Sequence, residues 1–228
     1  MGSYFGSKGT SGLCQAIIAL MPPHDVYIET HLGGGAIMKR KPPSMHSIGI
    51  DLNSKALAKF ECDYPMERIQ GCAHQFLKEF AFNGNELVYC DPPYLLHTRT
   101  HTRRYRFDYE EKDHIELIGI LKSLPCNVIL SGYPSRLYDR LLSEWRTIEL
   151  QVMNHAGVRT EKLWFNFIPD RVHWVSCAGK NFTHRQSIKR KSASWAQRYQ
   201  KMPRDERLAV LAGIMSIEAG EEAPEKGW

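Results

Sequence analysis

Residues 86–94 read Glu-Leu-Val-Tyr-Cys-Asp-Pro-Pro-Tyr, an apolar run that ends abruptly in an acid, two prolines and an aromatic ring. A short apolar run closed by a proline turn predicts a buried strand, Glu86–Cys90. Working outward from it, brief β-branched or apolar runs alternate with stretches of helical spacing from Asp25 to Phe167. That alternation is the pattern of a sheet with helices on both faces. The predicted strands are Val26–Glu29, Ser47–Asp51, Arg68–Gln70, Glu86–Cys90, Asn127–Ser131, Thr147–Met153 and Leu163–Phe167. The predicted helices are Thr10–Leu20, Asn53–Cys62, His74–Phe80, Tyr109–Ser123 and Ser135–Ser143. Only NHAGVRTE, residues 154–161, separates the last two strands, which is too short for a crossover helix, so an antiparallel hairpin is expected at one end of the sheet. The fold class is therefore α/β, a doubly wound Rossmann-like sheet with a terminal antiparallel hairpin. After Phe167 the alternation stops. A basic extension follows, in which Leu208, Leu211, Ile214 and Met215 predict one helix, Arg204–Glu218.

Composition narrows the class. With 43 % hydrophobic and 24 % charged residues, the chain fits a globular protein and not a disordered, collagenous or disulfide-scaffold one. No stretch approaches the roughly 18 uninterrupted apolar residues of a membrane span, and the N-terminus MGSYFGSKGTSG has no signal-peptide core, so no membrane partner and a cytoplasmic location are expected. Cys14, Cys62, Cys72, Cys90, Cys126 and Cys177 show no zinc spacing and read as reduced thiols. A formal net charge of +5 favours a polyanionic partner. The basic residues gather in two places, His97–Arg106 and Arg171–Arg207.

In an open α/β sheet ligands bind outside the carboxyl ends of the strands, which is where Asp91-Pro92-Pro93-Tyr94 falls. The prolines stiffen the backbone and hold the Asp91 side chain and the Pro92 carbonyl as two fixed acceptors, while Tyr94 offers a flat π surface. Two acceptors converging on one amine draw its protons, oppose delocalisation of its lone pair, and leave that pair aimed at an electrophilic methyl. A base inside a duplex cannot reach such a pocket and must be flipped out, with stacking on an aromatic ring offsetting about 1 to 3 kcal/mol of the cost. The plain alternative is a proline-rich turn.

A second motif follows the strand Val26–Glu29: Thr30-His31-Leu32-Gly33-Gly34-Gly35-Ala36. Glycines here let the backbone turn tightly and approach a ligand at a helix N-terminus. A nucleotide-like cofactor also meets an acid at the end of the next strand, and Asp51, with Asn53 just beyond, stands there to hold ribose hydroxyls. A helix N-cap is the other reading of Asp51.

Together these residues resemble the DNA adenine methylases of the Dam-like group, many of them carried by bacteriophages. The resemblance covers about Tyr4 to Phe167 and rests on motifs in the family's order. It implies an S-adenosylmethionine-dependent methyltransferase domain over residues 1–168 and a basic extension over 169–228. Tyr4-Phe5-Gly6-Ser7-Lys8 looks like the opening cofactor motif, which implies that Tyr4, Phe5 and Lys8 border the cofactor. Glu29–Ala36 looks like the glycine-rich cofactor loop, so Glu29, His31, Gly33, Gly34 and Gly35 are implied as cofactor contacts. Asp51 and Asn53 match the ribose-binding position, and Asp91, Pro92, Pro93 and Tyr94 the catalytic tetrapeptide, with Asp91 bordering the cofactor as well. Ile129–Tyr133 and Asn154–Phe167 look like the later strand motifs around the base pocket.

The chain departs from the family in three places. Glu29-Thr30-His31 stands where Glu-Pro-Phe is frequent, which puts a neutral histidine in the phenylalanine's place. Gln70-Gly71-Cys72-Ala73 lacks the acid often found near the adenine ring of the cofactor. Only residues 37–90 separate the glycine loop from the tetrapeptide, where Dam-like enzymes commonly insert a DNA-reading domain. Recognition of double-stranded DNA is then expected from the basic segments: Arg99, Arg103, Arg104 and Arg106 beside the tetrapeptide, and Lys189, Arg190 and Lys191 in the extension, where basic and aromatic residues interleave. Solvated charged segments are the plain alternative for both. His97 and His101 lack a supporting carboxylate pair, so no metal is expected. Direct displacement needs no nucleophilic side chain, and alignment dominates. Methylation of cytosine N4, of RNA adenine or of a protein glutamine stays open beside the DNA adenine reading, as does a non-catalytic DNA-binding role. The sequence leaves monomer or homodimer undecided.

Overall fold

The computed structural model describes residues 13–98, 107–154, 157–169 and 182–218. Seven strands form one sheet: β1 (Val26–Glu29), β2 (His46–Asp51), β3 (Glu67–Gln70), β4 (Glu86–Cys90), β5 (Asn127–Gly132), β6 (Arg146–Asn154) and β7 (Gly157–Phe165). Their spatial order is β3-β2-β1-β4-β5-β7-β6. The first five pair in parallel, and β7 runs antiparallel to both β5 and β6. This is the doubly wound α/β sheet with a terminal hairpin that the alternation predicts.

The helices are α1 (Leu13–Leu20), α2 (Ala36–Arg40), α3 (Ser54–Lys59), α4 (Ala73–Glu79), α5 (Glu111–Ser123), α6 (Arg136–Leu141), α7 (Phe182–Lys201) and α8 (Arg204–Glu218). Local chemistry fixes several ends. Asn53 caps α3 by accepting from the Lys55 amide at 3.1 Å. Glu110 and Asp113 form a reciprocal capping box at the start of α5.

Every residue of β4 is buried, because strands flank it on both edges and helices cover both faces. Alternate residues therefore feed two cores. Tyr27, Leu87, Tyr89, Ile129, Leu163 and Phe165 face α1, α2 and α3 on one side. Ile28, Val88, Cys90, Val128, Leu130 and Trp164 face α4, α5 and α6 on the other. Trp164 is fully buried and its indole N–H donates to Asp139 at 3.0 Å.

The structure departs from the sequence expectation in three elements. Strand β7 begins at Gly157 and β6 extends to Asn154, so most of residues 154–161 belongs to paired strand and not to a connecting loop. Ladder bonds to β6 hold this part, so its polar residues need no apolar alternation. Helix α2 is too short to display a period. Helix α7 has no apolar stripe to betray it, but Lys, Arg, Gln and Ala are strong helix formers and sustain it.

Candidate active site

The strand order reverses between β1 and β4, so the carboxyl ends of β1, β2 and β4 open onto one crevice. Backbone bonds fasten the glycine loop across this edge. The Thr30 amide donates to the Tyr89 carbonyl at 3.1 Å and the Leu32 amide to the Ile50 carbonyl at 2.8 Å. Gly33 and Gly35 then take positive φ, 48° and 58°. At Gly35 a side chain is excluded twice over: the backbone is left-handed, and a Cβ there would lie 2.0 Å from the Phe60 ring. Asp51 closes the crevice from β2. Its carboxylate accepts from the Gly33 amide and from the Asn53 amide, each at 2.7 Å. Each oxygen retains acceptor capacity for a ligand hydroxyl. Asn53, and not Asp51, supplies the side chain that caps α3.

Glu29 is turned inward. Its Oε2 accepts from the Tyr27 hydroxyl and from the Met38 amide, each at 3.0 Å, which ties α2 to β1. Burial pushes this carboxyl up to about 8, the Asp91 charge adds to the shift, and the Tyr27 and Met38 donors oppose it. His31 packs within the crevice wall. Its Nδ1 lies 2.8 Å from Thr30 Oγ1 and its Nε2 2.9 Å from the Tyr109 hydroxyl. Burial, with neighbouring His74 and His114 adding to it, lowers its pKa to about 3, so the imidazole is neutral. Tyr109 in turn meets the rings of His74 and His114 edge-on, at 5.2 and 5.3 Å between centroids. This wall joins β1 to α4 and α5, and Tyr109 carried no sequence signal beyond opening a helix.

Asp91-Pro92-Pro93-Tyr94 leaves β4 in this crevice, with Pro92 buried and Asp91 half-buried. Tyr94 is held from the other end of the sheet. Its hydroxyl donates to Glu161 Oε2 on β7 at 2.8 Å, and its ring meets Tyr133 edge-on at 4.5 Å. The Tyr133 hydroxyl accepts from the Arg159 guanidinium at 2.7 Å. Burial pushes the Tyr94 phenol well above its ordinary value, so it stays a donor to Glu161. Beyond Tyr133 opens a cavity of about 530 Å³, lined among others by Thr98, Ser135, Arg136, Arg159 and Thr160. Its Ser135 hydroxyl is buried and has no partner among the described residues. The segments Ile129–Tyr133 and Asn154–Phe167 were flagged by resemblance, but Arg159 and Glu161 individually were not, because they sit in what reads as a loop.

The structure thus brings together His31, Gly33, Gly34, Gly35, Asp51, Asn53 and Asp91–Tyr94 at the carboxyl ends of β1, β2 and β4, whereas the Glu29 carboxyl, expected as a cofactor contact, faces the core and is taken up by Tyr27 and Met38. Tyr4, Phe5, Lys8, Arg99, Arg103, Arg104 and Arg106 lie outside the described residues. Lys189, Arg190 and Lys191 are exposed on α7. Among the described residues no group of three or more His, Cys, Asp or Glu could hold a metal, and no helix is long and apolar enough to cross a membrane. Cys14, Cys90 and Cys126 are buried free thiols; burial raises the first to about 11 and the other two to about 12, so they stay protonated.

No protein-family model matches the chain, and no curated protein matches it in sequence. Among solved structures it is similar to an S-adenosylmethionine-dependent methyltransferase from Archaeoglobus fulgidus, at 10 % identity, with 67 % of this chain and 90 % of that one covered and a TM-score of 0.49. It is similar to the O-methyltransferase of Bacillus cereus in complex with S-adenosylhomocysteine, at 9 % identity, 73 % and 84 % coverage and a TM-score of 0.48. It is also similar to TrmK of M. capricolum with S-adenosylhomocysteine, at 10 % identity, 93 % and 98 % coverage and a TM-score of 0.46.

Proposed function

We propose that this chain is an S-adenosylmethionine-dependent methyltransferase acting on the exocyclic amine of adenine in double-stranded DNA. The observation that carries the reading is the meeting, at the reversal point of the sheet, of a left-handed glycine loop, the amide-anchored Asp51 and the rigid Asp91–Tyr94 turn. The residues fit the cofactor. Gly33 to Gly35 allow close approach of backbone, and Asp51 keeps acceptor capacity for ribose hydroxyls. When bound, the cofactor supplies an electrophilic methyl.

The chain's own residues do the rest by position. Asp91 and the Pro92 carbonyl accept hydrogen bonds from the amine and keep its lone pair out of the ring. Tyr94 presents its π face to a flipped base, and Glu161 and Tyr133 fix the plane of that ring. Catalysis on this reading is alignment in a half-buried site, which alone is worth several kcal/mol, and no side chain needs to act as nucleophile.

Purified protein incubated with unmethylated DNA and labelled cofactor should yield N6-methyladenine, identified by mass spectrometry of the nucleosides. Label on cytosine, RNA or protein glutamine, or none at all with cofactor bound, would sink the adenine reading.

A further inference from the structure

Helix α7, FTHRQSIKRKSASWAQRYQK, holds Arg185, Lys189, Arg190, Lys191, Arg198 and Lys201 and no acid. A helix that is merely solvated usually mixes both signs and gains from pairs of opposite charge one turn apart. Here like charges crowd one another, and among the described residues none of Arg190, Lys191, Arg198 and Lys201 is paired with a carboxylate.

The cations are also ordered. Ser187, Arg190, Lys191, Ser194, Arg198 and Lys201 follow the +3, +4, +7, +11, +14 spacing of one helical face, and all six are exposed. The half-buried residues, Ile188 and Tyr199, lie off this face, roughly 110 to 130° around the helix from its centre, where Tyr199 lines a cleft with Thr147, Glu149 and Gln151 of β6. The cationic face is therefore turned outward along about 21 Å of helix, at 1.5 Å per residue. Duplex DNA presents a negative charge every 1.7 Å or so of its axis, and its major groove admits a helix about 10 to 12 Å across.

We infer that α7 docks this chain on double-stranded DNA, lying along the major groove with Arg190, Lys191, Arg198 and Lys201 on the phosphates and Ser187 and Ser194 donating beside them. The choice of partner rests on the transferase reading above; the docking face rests on the helix itself. Because phosphate contacts carry no base information, the contact positions the chain without selecting a sequence.

The test is fluorescence anisotropy of the full chain with a duplex of G·C pairs only, titrated with salt, which isolates docking from methyl transfer. Four neutralised phosphates contribute a log–log slope of about −3.6, an affinity loss of about 150-fold between 50 and 200 mM salt. The Arg190→Gln, Lys191→Gln, Arg198→Gln, Lys201→Gln variant should lose that share of the slope while its circular dichroism spectrum is unchanged, since glutamine keeps helix propensity. Lys112→Gln, exposed on α5 and outside this helix, should shift the slope by less than one. An unchanged slope in the fourfold variant overturns the inference. So does equally tight binding to an RNA duplex of the same sequence, whose narrow major groove excludes a helix. Binding with the expected slope but no methylated adenine in adenine-containing DNA counts against the transferase reading alone.

Discussion

The tetrapeptide Asp91–Tyr94 lies between two regions that are held together by different means. Toward β1 and β2, the glycine loop and Asp51 are fastened by main-chain groups: Thr30 to Tyr89, Leu32 to Ile50, and the Gly33 and Asn53 amides to one carboxylate. Toward β7, Tyr94 is held among the described residues by side chains, its phenol on Glu161 from 67 positions away and its ring edge-on to Tyr133, itself bonded to Arg159. Main-chain bonds follow from strand pairing and tolerate few sequence changes without loss of the fold. Side-chain bonds can be exchanged with the backbone intact. The difference assigns a rigid, generic half to the proposed cofactor and a tunable half to the proposed base.

Four variants test this division. Asp91→Ala removes the acceptor at the junction and should cost methyl transfer about 10³-fold or more while cofactor binding, measured by calorimetry, is retained. Binding lost together with activity would move Asp91 to the cofactor half. Gly35→Ala combines a left-handed residue with a Cβ driven into Phe60, and should lower stability by about 3 kcal/mol in chemical denaturation. A loss below 1 kcal/mol would show the loop to be less rigid than its bonds imply. Glu161→Gln keeps the shape at Tyr94 but weakens a charge-assisted bond; kcat should fall about tenfold with cofactor affinity unchanged within twofold. Equal losses in both halves would break the division.

The smallest effect is at His31. Folded, its imidazole titrates near 3, against an ordinary 6.5, so between those values the unfolded chain binds the extra proton. Stability from this group is present above pH 6.5 and is lost as pH falls toward 3, at about 1.4 kcal/mol per pH unit in the steep part. His31→Phe should reduce proton uptake on unfolding at pH 5 by about one, read from stability curves across that range. An unchanged uptake would show that the imidazole is not held neutral in the fold.

The core of the fold was legible because buried parallel strands must be apolar. β1 and β4 fall on the predicted residues, and the proline turn after β4 announced the crevice. The outer hairpin was legible only in part. Arg159, Thr160 and Glu161 are polar and carry no strand period, yet ladder pairing with β6 places Glu161, only 8 % exposed, beside Tyr94. Helix α7 escaped for the opposite reason, since a helix with one half-buried edge needs no apolar stripe.

The amino-acid sequence by itself determined the doubly wound sheet, the order of its elements and the positions of the glycine loop, Asp51 and the Asp-Pro-Pro-Tyr turn, because periodicity and turn chemistry are local properties. Only the tertiary structure decided which groups complete that turn. Glu29 faces the core, His31 joins Tyr109, and Glu161 reaches Tyr94, because those contacts depend on strand order and register, which bring together residues that no local spacing relates.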